Sequence, residues 1–386
     1  MTVISGQRLT TNILADQLAT DISSQISLLE PSAQPLAVFT RAAGKERTIA
    51  SKFHWTLDES KARYAAIDNA AGYNGSATTL KVTDASAFAK FDTVLVTRTG
   101  EYMQVMDTNV QNSTVDVVRG VGNNGTGTSI NDEDELLIVA SAQPEGDRAK
   151  APRSQNPVKI TNYTQIFREP FAESGTLRAS GFQVHPADWP HQTRKAGIEH
   201  TKDIEYAFVF GRKDARTVNG AELRTTGGII HQIATNQVDA GGTLTEEEFN
   251  AGMAQIMRYG SRKKLAIASA TGAMALNKFP ASKQITRNDE TTYGMDVTLF
   301  QSPFGSLNLV YHPLLEGEKY GGVIIVVDLD DVAYRYLGND QETRDTKILH
   351  NRQEPDRDGR MSEYLTECGV EWGNEIKHGL FTGITS

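Results

Sequence analysis

The stretch GVGNNG, Gly120 to Gly125, has the GxGxxG spacing with which glycine-rich loops cradle dinucleotide phosphates. That chemistry needs a helix to begin directly after the glycines, inside a βαβ unit, so that its N-terminus faces the anion. Here TGTSINDEDE follows, which is loop-forming, and the glycines read as a hairpin turn. Asp328, Asp330 and Asp331 in VVDLDD offer hard oxygen donors for a cation, and 328 and 330 would share a strand face. Carboxylates at a strand end more commonly solvate a turn. The run from Asp132 through Glu133 and Asp134 to Glu135 reads as a solvated acidic loop. A hydrolase with a dispersed site would draw on Asp328 and His312. The eight histidines never fall in HxxxH spacing, and GxSxG, P-loop, HExxH and CxxC patterns do not occur. His185 and His191 flank Trp189 and read as a packing cluster. Cys368 is the single cysteine, so an intrachain disulfide or thiolate cluster cannot form, and it reads as a small buried hydrophobe. The residues point to no cofactor, no metal and no catalytic constellation.

The elements that would carry such residues are those of a sizeable folded protein. The chain has 386 residues, 39% hydrophobic and 23% charged, enough for two or three domains. Its formal net charge of −9 argues against tight binding to nucleic acid through phosphate neutralisation. The first thirty residues lack a basic end followed by an apolar block, so a signal peptide is not expected. No apolar run reaches the roughly 18 residues of a membrane-spanning helix.

Residues 1–46 read as an arm broken by Pro31 and Pro35. RTIASKFHWTL, residues 47–57, alternates as one strand, with Ile49, Phe53, Trp55 and Leu57 on one side. Its natural mate is TNYTQIFREPF, residues 161–171, where Tyr163, Phe167 and Phe171 share a face with Gln165 and Glu169. Between them, TTLKV, DTVLVTR, YMQVMDT, STVDVVRG and ELLIVAS predict a small all-β domain over 69–151, inserted at the tip of a long hairpin. Asp188, Pro190 and Gly211 bracket a helix over 187–211, roughly 34 Å long at 1.5 Å per residue. Its first half is polar nearly all round, including Arg194, Lys195, Glu199 and His200, with Asp203 following, so it needs a neighbour as buttress. Thr245 and Glu248 predict a capping box for a helix over 245–260, lined by Phe249, Met253, Ile256 and Met257. KLAIAS, a short helix over 273–279, YGMDVTLF, SLNLVYH and GVIIVVD follow, and the tail from Glu363 is again extended. The class is α+β without repeating βαβ order.

In order and spacing, NYTQIFREPFAESGT, RKAGIEHTKDIEYAFVFGRK, LRTTGGIIHQIATN and EYLTECGVEWGNEIKHGLFTGI resemble tailed-phage major capsid proteins whose elongation hairpin carries an inserted β domain. The resemblance implies the Hong Kong 97-like capsid fold. On that pattern residues 1–46 are the N-terminal arm, and 47–68 with 152–175 the E-loop hairpin. Residues 176–230 and 340–386 are the peripheral domain with its spine helix at 187–211, and 231–339 the axial domain. It implies a self-assembling structural protein that forms hexamers and pentamers of an icosahedral head, located in the virion and assembled in the host cytoplasm. It further implies a portal protein, a separate scaffolding protein and a decoration protein as partners, and double-stranded DNA enclosed without sequence-specific binding. The hairpin rings Phe53, Trp55, Tyr163, Phe167 and Phe171 would then be free apolar surface on a lone subunit, covered by a neighbour. Arg194, Lys195, Glu199 and Asp203 would flank the spine strut. Trp55→Asp and Phe167→Asp are then expected to leave the subunit folded and block shell closure. The alternative is another virion component, a tail or decoration protein whose β domain binds glycan or receptor through Tyr73 and Tyr102.

Overall fold

The computed structural model describes residues 35–58, 62–146, 156–180, 188–279, 284–285 and 298–385. Most of the expected arm, His185, the Asp188 side chain and the first half of YGMDVTLF lie outside the described residues. The chain divides into two compact units, residues 56–158 and the remainder. No described helix is long and apolar enough to cross a membrane.

The smaller unit is a six-stranded sheet. Its order is Tyr64–Ala66, Glu135–Ser141, Asp92–Val96, Tyr102–Asn109, Thr114–Val118, Thr79–Lys81, antiparallel throughout. Strand alternation sends Val94, Val96, Met103, Val105, Val115, Val117, Leu136 and Ile138 to one face, where Phe88 and Leu80 complete a closed apolar core. The unit begins before residue 69, because the Tyr64–Ala66 strand supplies one sheet edge.

Residues 119–128 show what the GVGNNG glycines do. Gly120, Gly122 and Gly125 have φ of 63°, 80° and 75°, conformations that a side chain would strain. The loop folds around a carboxylate of its own chain. Glu101 accepts from the backbone of Gly120 (3.1 Å) and Thr128 (2.8 Å) and is clamped by Arg119 in two bonds of 2.7 Å. An anion does sit at the glycine turn, and Glu101 supplies it.

The larger unit holds two main sheets. One is five-stranded, with Lys45–Thr48, Ala333–Leu337, Gly359–Glu371 and Gln165–Ser174 in order and Lys347–Leu349 also paired to Gly359–Glu371. The other is seven-stranded, in the order Gln237–Gly242, Gly379–Ile384, Ile324–Val327, Lys263–Ala268, Gly305–Tyr311, Thr298–Ser302, Gln284–Ile285. Its central strands are apolar on both faces because both faces are covered. Leu265, Ile267, Ile325 and Val327 pack with the helices Pro35–Ala43 and Asp188–Phe210. Ala266, Ala268, Ile324 and Val326 face the helices Glu246–Ile256 and Ala270–Asn277, where Phe249 meets Phe279, Phe300 and Phe381. The Thr245–Glu248 capping box is formed.

Three sequence expectations need correction. RTIASKFHWTL is two strands, Lys45–Thr48 and Lys52–Leu57, separated by a bend that leaves Ile49 82% exposed. TNYTQIFREPF is also two strands. Val158–Tyr163 pairs with Lys52–Leu57, while Gln165–Ser174 runs along Gly359–Glu371 in the five-stranded sheet. The hairpin therefore ends at Thr164, whose amide donates to Ser51 O at 2.8 Å and whose hydroxyl meets Glu367. Finally, the tail does not return as one piece. After Gly359–Glu371, a turn at Glu375–Lys377 delivers Gly379–Ile384 to the seven-stranded sheet, while Ala333–Leu337 belongs to the five-stranded one.

Candidate assembly surface

The hairpin rings do not form free surface, because the break at Thr164 gives each strand its own cover. Phe53 and Trp55 are stacked (6.2 Å between centroids), and Trp55 Nε1 donates to Gly373 O at 2.8 Å. Gly369 makes room for the Tyr163 carbonyl and the Phe53 ring, which lie 2.5 and 3.0 Å from where a Cβ would stand. Phe167 belongs to the main core. Phe171 packs on Trp189 (4.9 Å) and Tyr364 (5.8 Å). These four rings are 6–8% exposed within the chain itself. Tyr163 alone is half-buried, beneath the Lys52 ammonium.

The long helix, Asp188–Phe210, matches its expected bounds, and Arg194, Lys195, Glu199 and Asp203 are exposed on it. Its polar first half nevertheless has an inner face. Trp189 and Ala196 pack on Phe171 and Tyr364, and buried His200 bonds Thr366 Oγ1 at 2.7 Å. Burial holds the His200 imidazole down at about 4, chiefly by desolvation, with the nearby Arg41 charge adding to it. One turn on, fully buried Glu205 reaches outside its own helix. Its carboxylate accepts the amides of Leu36 (2.8 Å) and Ala37 (2.6 Å), capping the helix Pro35–Ala43. His312 Nδ1 accepts the Leu314 amide, so Nε2 carries the proton and donates it to Glu205 at 2.7 Å. His312 is thus a structural partner of a cap.

Asp328 is equally engaged. The Lys264 ammonium sits 2.9 Å from it and also donates to Tyr259 O and Lys377 O, so all three of its protons are used. Lys264 supplies the charge that balances the buried Asp328 carboxylate. Asp331 has separate partners, Lys377 and the Asn374 amide. Among the described residues no group of His, Cys, Asp and Glu could hold a metal ion. Cys368 is buried, and desolvation pushes its thiol up to about 12, which keeps it unreactive.

What stays open is elsewhere. An open groove of about 900 Å³ runs between the long helix, the strand Gln165–Ser174 and a two-stranded hairpin, Asp214–Val218 with Ala221–Thr225. Ile166 and Tyr206 are each 45% exposed along it. At the helix edge, Glu169 and Asp203 are raised above the usual carboxylate range by burial, with repulsion from Glu199 on both and from Asp203 on Glu169. Sequence reading missed this groove, since it is made by residues from three separate segments. In the smaller unit, Tyr73 is half-buried with its hydroxyl accepting the Lys81 amide. Tyr102 is exposed, and cross-strand pairing aligns it with Leu95, Leu137 and Tyr64 in one outward row. Tyr64 escaped notice because it was assigned to the hairpin.

The sequence profile of the SU10 major capsid protein family matches residues 3–385, nearly the whole chain. The chain belongs to that family. This family member is 27% identical over 218 residues to the major capsid protein of Pseudomonas phage PaMx41, a match covering 53% of this chain and 52% of that protein. The match therefore spans about half the length of that relative. Among solved structures, the family member is similar to the capsid of a native GTA particle, with 10% identity, a TM-score of 0.44 and coverage of 98% of this chain and 95% of that one. It is also similar to a chain of Mycobacterium phage Adephagia, with 9% identity, a TM-score of 0.45 and coverage of 89% of each. The assignment rests on the whole-length family match.

Proposed function

We propose that this chain is a structural subunit that self-assembles through hexamers and pentamers into an icosahedral phage head around double-stranded DNA. The observation that carries the reading is the family match from residue 3 to residue 385. The buried chemistry agrees with it. Glu205, His312, Asp328 and Lys264 each bond to elements of the fold and hold it together. We read the five-stranded sheet with the long helix as the peripheral domain and the seven-stranded sheet as the axial domain of a Hong Kong 97-like arrangement. The paired strands Lys52–Leu57 and Val158–Tyr163 are then the base of the E-loop, and residues 56–158 its inserted domain. Net charge of −9 suits a container that lets DNA move. A portal, a separate scaffolding protein and a decoration protein are the partners that this role requires or accommodates.

Electron microscopy and sedimentation of the purified protein test the reading. Closed particles or ring-shaped capsomers are expected. A monomer or dimer at every concentration, with or without the phage's other head proteins, would overturn it.

A further inference from the structure

We propose that the open groove beside the long helix is the docking site of this chain's own N-terminal segment, residues 13–30, bound within the same subunit.

The groove calls for an occupant that is both acidic and apolar. Its cations are Arg168, Arg212, Lys213 and Arg216, against Asp203 and Asp214. Arg168 is taken by Glu363, which it bonds at 2.7 and 3.0 Å. The other three are held loosely or by neutral atoms. Lys213 Nζ donates to Thr161 O at 3.0 Å, and Arg216 has Asp214 at 3.9 Å. Among the described residues no carboxylate bonds the Arg212 side chain. Ile166 and Tyr206, each 45% exposed, supply apolar area, with Phe210 beside Tyr206 at 5.9 Å between ring centroids.

The sequence just ahead of the described residues has the matching character. From Leu9 to Gln34 there is no Lys, Arg or His, so the carboxylates Asp16, Asp21 and Glu30 stand unopposed. Leu14, Leu18, Ile22 and Ile26 recur at every fourth position, with Ile13 and Leu29 alongside. A stripe of this spacing needs a surface to lie on. Apolar residues on Ile166 and Tyr206, with carboxylates toward Arg212, Lys213 and Arg216, satisfy both sides.

The tether selects the copy. Glu205 fixes the amides of Leu36 and Ala37, and Tyr206 is the next residue on the same helix. The groove follows that helix from Asp203 to Gly211, about 12 Å at 1.5 Å per residue. The six residues from Glu30 to Leu36 stretch to about 20 Å, so the segment reaches either end of its own subunit's groove. So short a link sets a local concentration in the millimolar range, which a second copy does not match.

Cross-linking tests the docking on the full-length chain, where the sole native cysteine, Cys368, is buried. Leu18→Cys and Tyr206→Cys are placed in one chain. Subunits grown with nitrogen-14 and nitrogen-15 are mixed in the dissociated state, allowed to reassociate, oxidised and digested, and the linked peptides are weighed. Links whose two halves carry the same isotope are expected, and Ile22→Cys in place of Leu18→Cys should give them too. Links that mix isotopes would show that a second copy's segment fills the groove, and would refute docking within the subunit. Absence of any link from both arm variants would refute it as well. So would equal linking to Lys195→Cys, about 16 Å away along the helix, since that marks an unspecific contact. As a second readout, Arg212→Glu with Arg216→Glu should speed thermolysin cleavage within residues 13–30 at least about tenfold, through like-charge contact. Adding Asp16→Lys and Asp21→Lys should restore protection, and absence of that rescue counts against the docking. The contact lies inside one subunit, so both readouts apply equally to subunits that form no particles.

Discussion

Removing the Glu205 carboxylate should loosen the joint between the long helix and the helix Pro35–Ala43. The carboxylate receives three donors in a site without water access: the amides of Leu36 and Ala37 and the His312 imidazole. Hydrogen bonds to a buried charge contribute about 1.5–3 kcal/mol each, and a donor left unsatisfied costs about 1–3 kcal/mol. In Glu205→Gln the amide keeps the volume, but its NH2 must face either the Ala37 amide or the Leu36 amide together with the His312 N–H, which share one oxygen. At least one donor then meets a donor, for a loss of about 3 kcal/mol. Glu205→Ala strands all three donors and opens a cavity, so about 5 kcal/mol is expected. Urea unfolding of the dissociated subunit gives the total, and hydrogen exchange at the Leu36 and Ala37 amides localises it. Both amides should exchange far faster in the variants. A double-mutant cycle with His312→Ala should show strong coupling, since either change alone breaks the same bond. Glu205→Ala unfolding within about 0.5 kcal/mol of wild type, with unchanged exchange at both amides, would falsify the cap assignment.

Three further outcomes follow from particular contacts. Trp55→Asp and Phe167→Asp should each destabilise the subunit itself by about 3–5 kcal/mol, against the expectation of a folded subunit that fails only in closure, since a carboxylate replaces a ring buried in its own chain; variants that melt at the wild-type temperature would contradict this. Lys264→Met should cost about 3–5 kcal/mol by leaving Asp328 buried and unpaired, and Lys264→Met with Asp328→Asn should recover much of it in the same melt. Burial alone would raise the Glu101 carboxyl, but Arg119 and the Thr128 donors outweigh it and hold the group at about 2, below its usual 4.5, so its contribution of about 3 kcal/mol is complete above pH 4.5 and fades as pH falls toward 2. Near-ultraviolet circular dichroism of Glu101→Gln should show a smaller-unit transition whose midpoint moves less than that of wild type across that window, the remainder coming from Asp134 beside Arg98.

Legibility in the sequence followed the range of the interaction. The long helix and the Glu246–Ile256 helix were readable to within a few residues because their signals are local: Pro190 and Gly211 for one, Thr245 with Glu248 for the other. The smaller unit's strands were readable from alternation and turn glycines. What failed depended on distant partners. Nothing near Thr164 says that one half of TNYTQIFREPF pairs with Lys52–Leu57 and the other with Gly359–Glu371, since both halves share one alternation. The Pro35–Ala43 helix is capped by Glu205, 168 residues away, where a cap is ordinarily sought at the preceding residue. Polar residues on the first half of the long helix suggested solvent, yet His200 has a buried partner in Thr366. The hairpin rings Phe53, Trp55, Phe167 and Phe171 read as surface for a neighbour to cover, but their own chain covers them, and that cover could be seen only once the tail strand was in place.

That tail strand has a consequence for synthesis. Gly359–Glu371 is the strand on which Gln165–Ser174, Ala333–Leu337 and Lys347–Leu349 all pair, and Gly379–Ile384 joins Gln237–Gly242 to the other sheet. The five-stranded sheet therefore remains open until translation has passed residue 371, and the seven-stranded one until it has passed residue 384. Gln237–Gly242 waits for roughly 140 residues of further elongation, on the order of ten seconds at ribosomal speed. The nascent chain exposes unpaired strand edges throughout that interval, and it gains its finished geometry only once those late residues have left the ribosome. Until the tail closes them, those edges are templates on which another copy could pair.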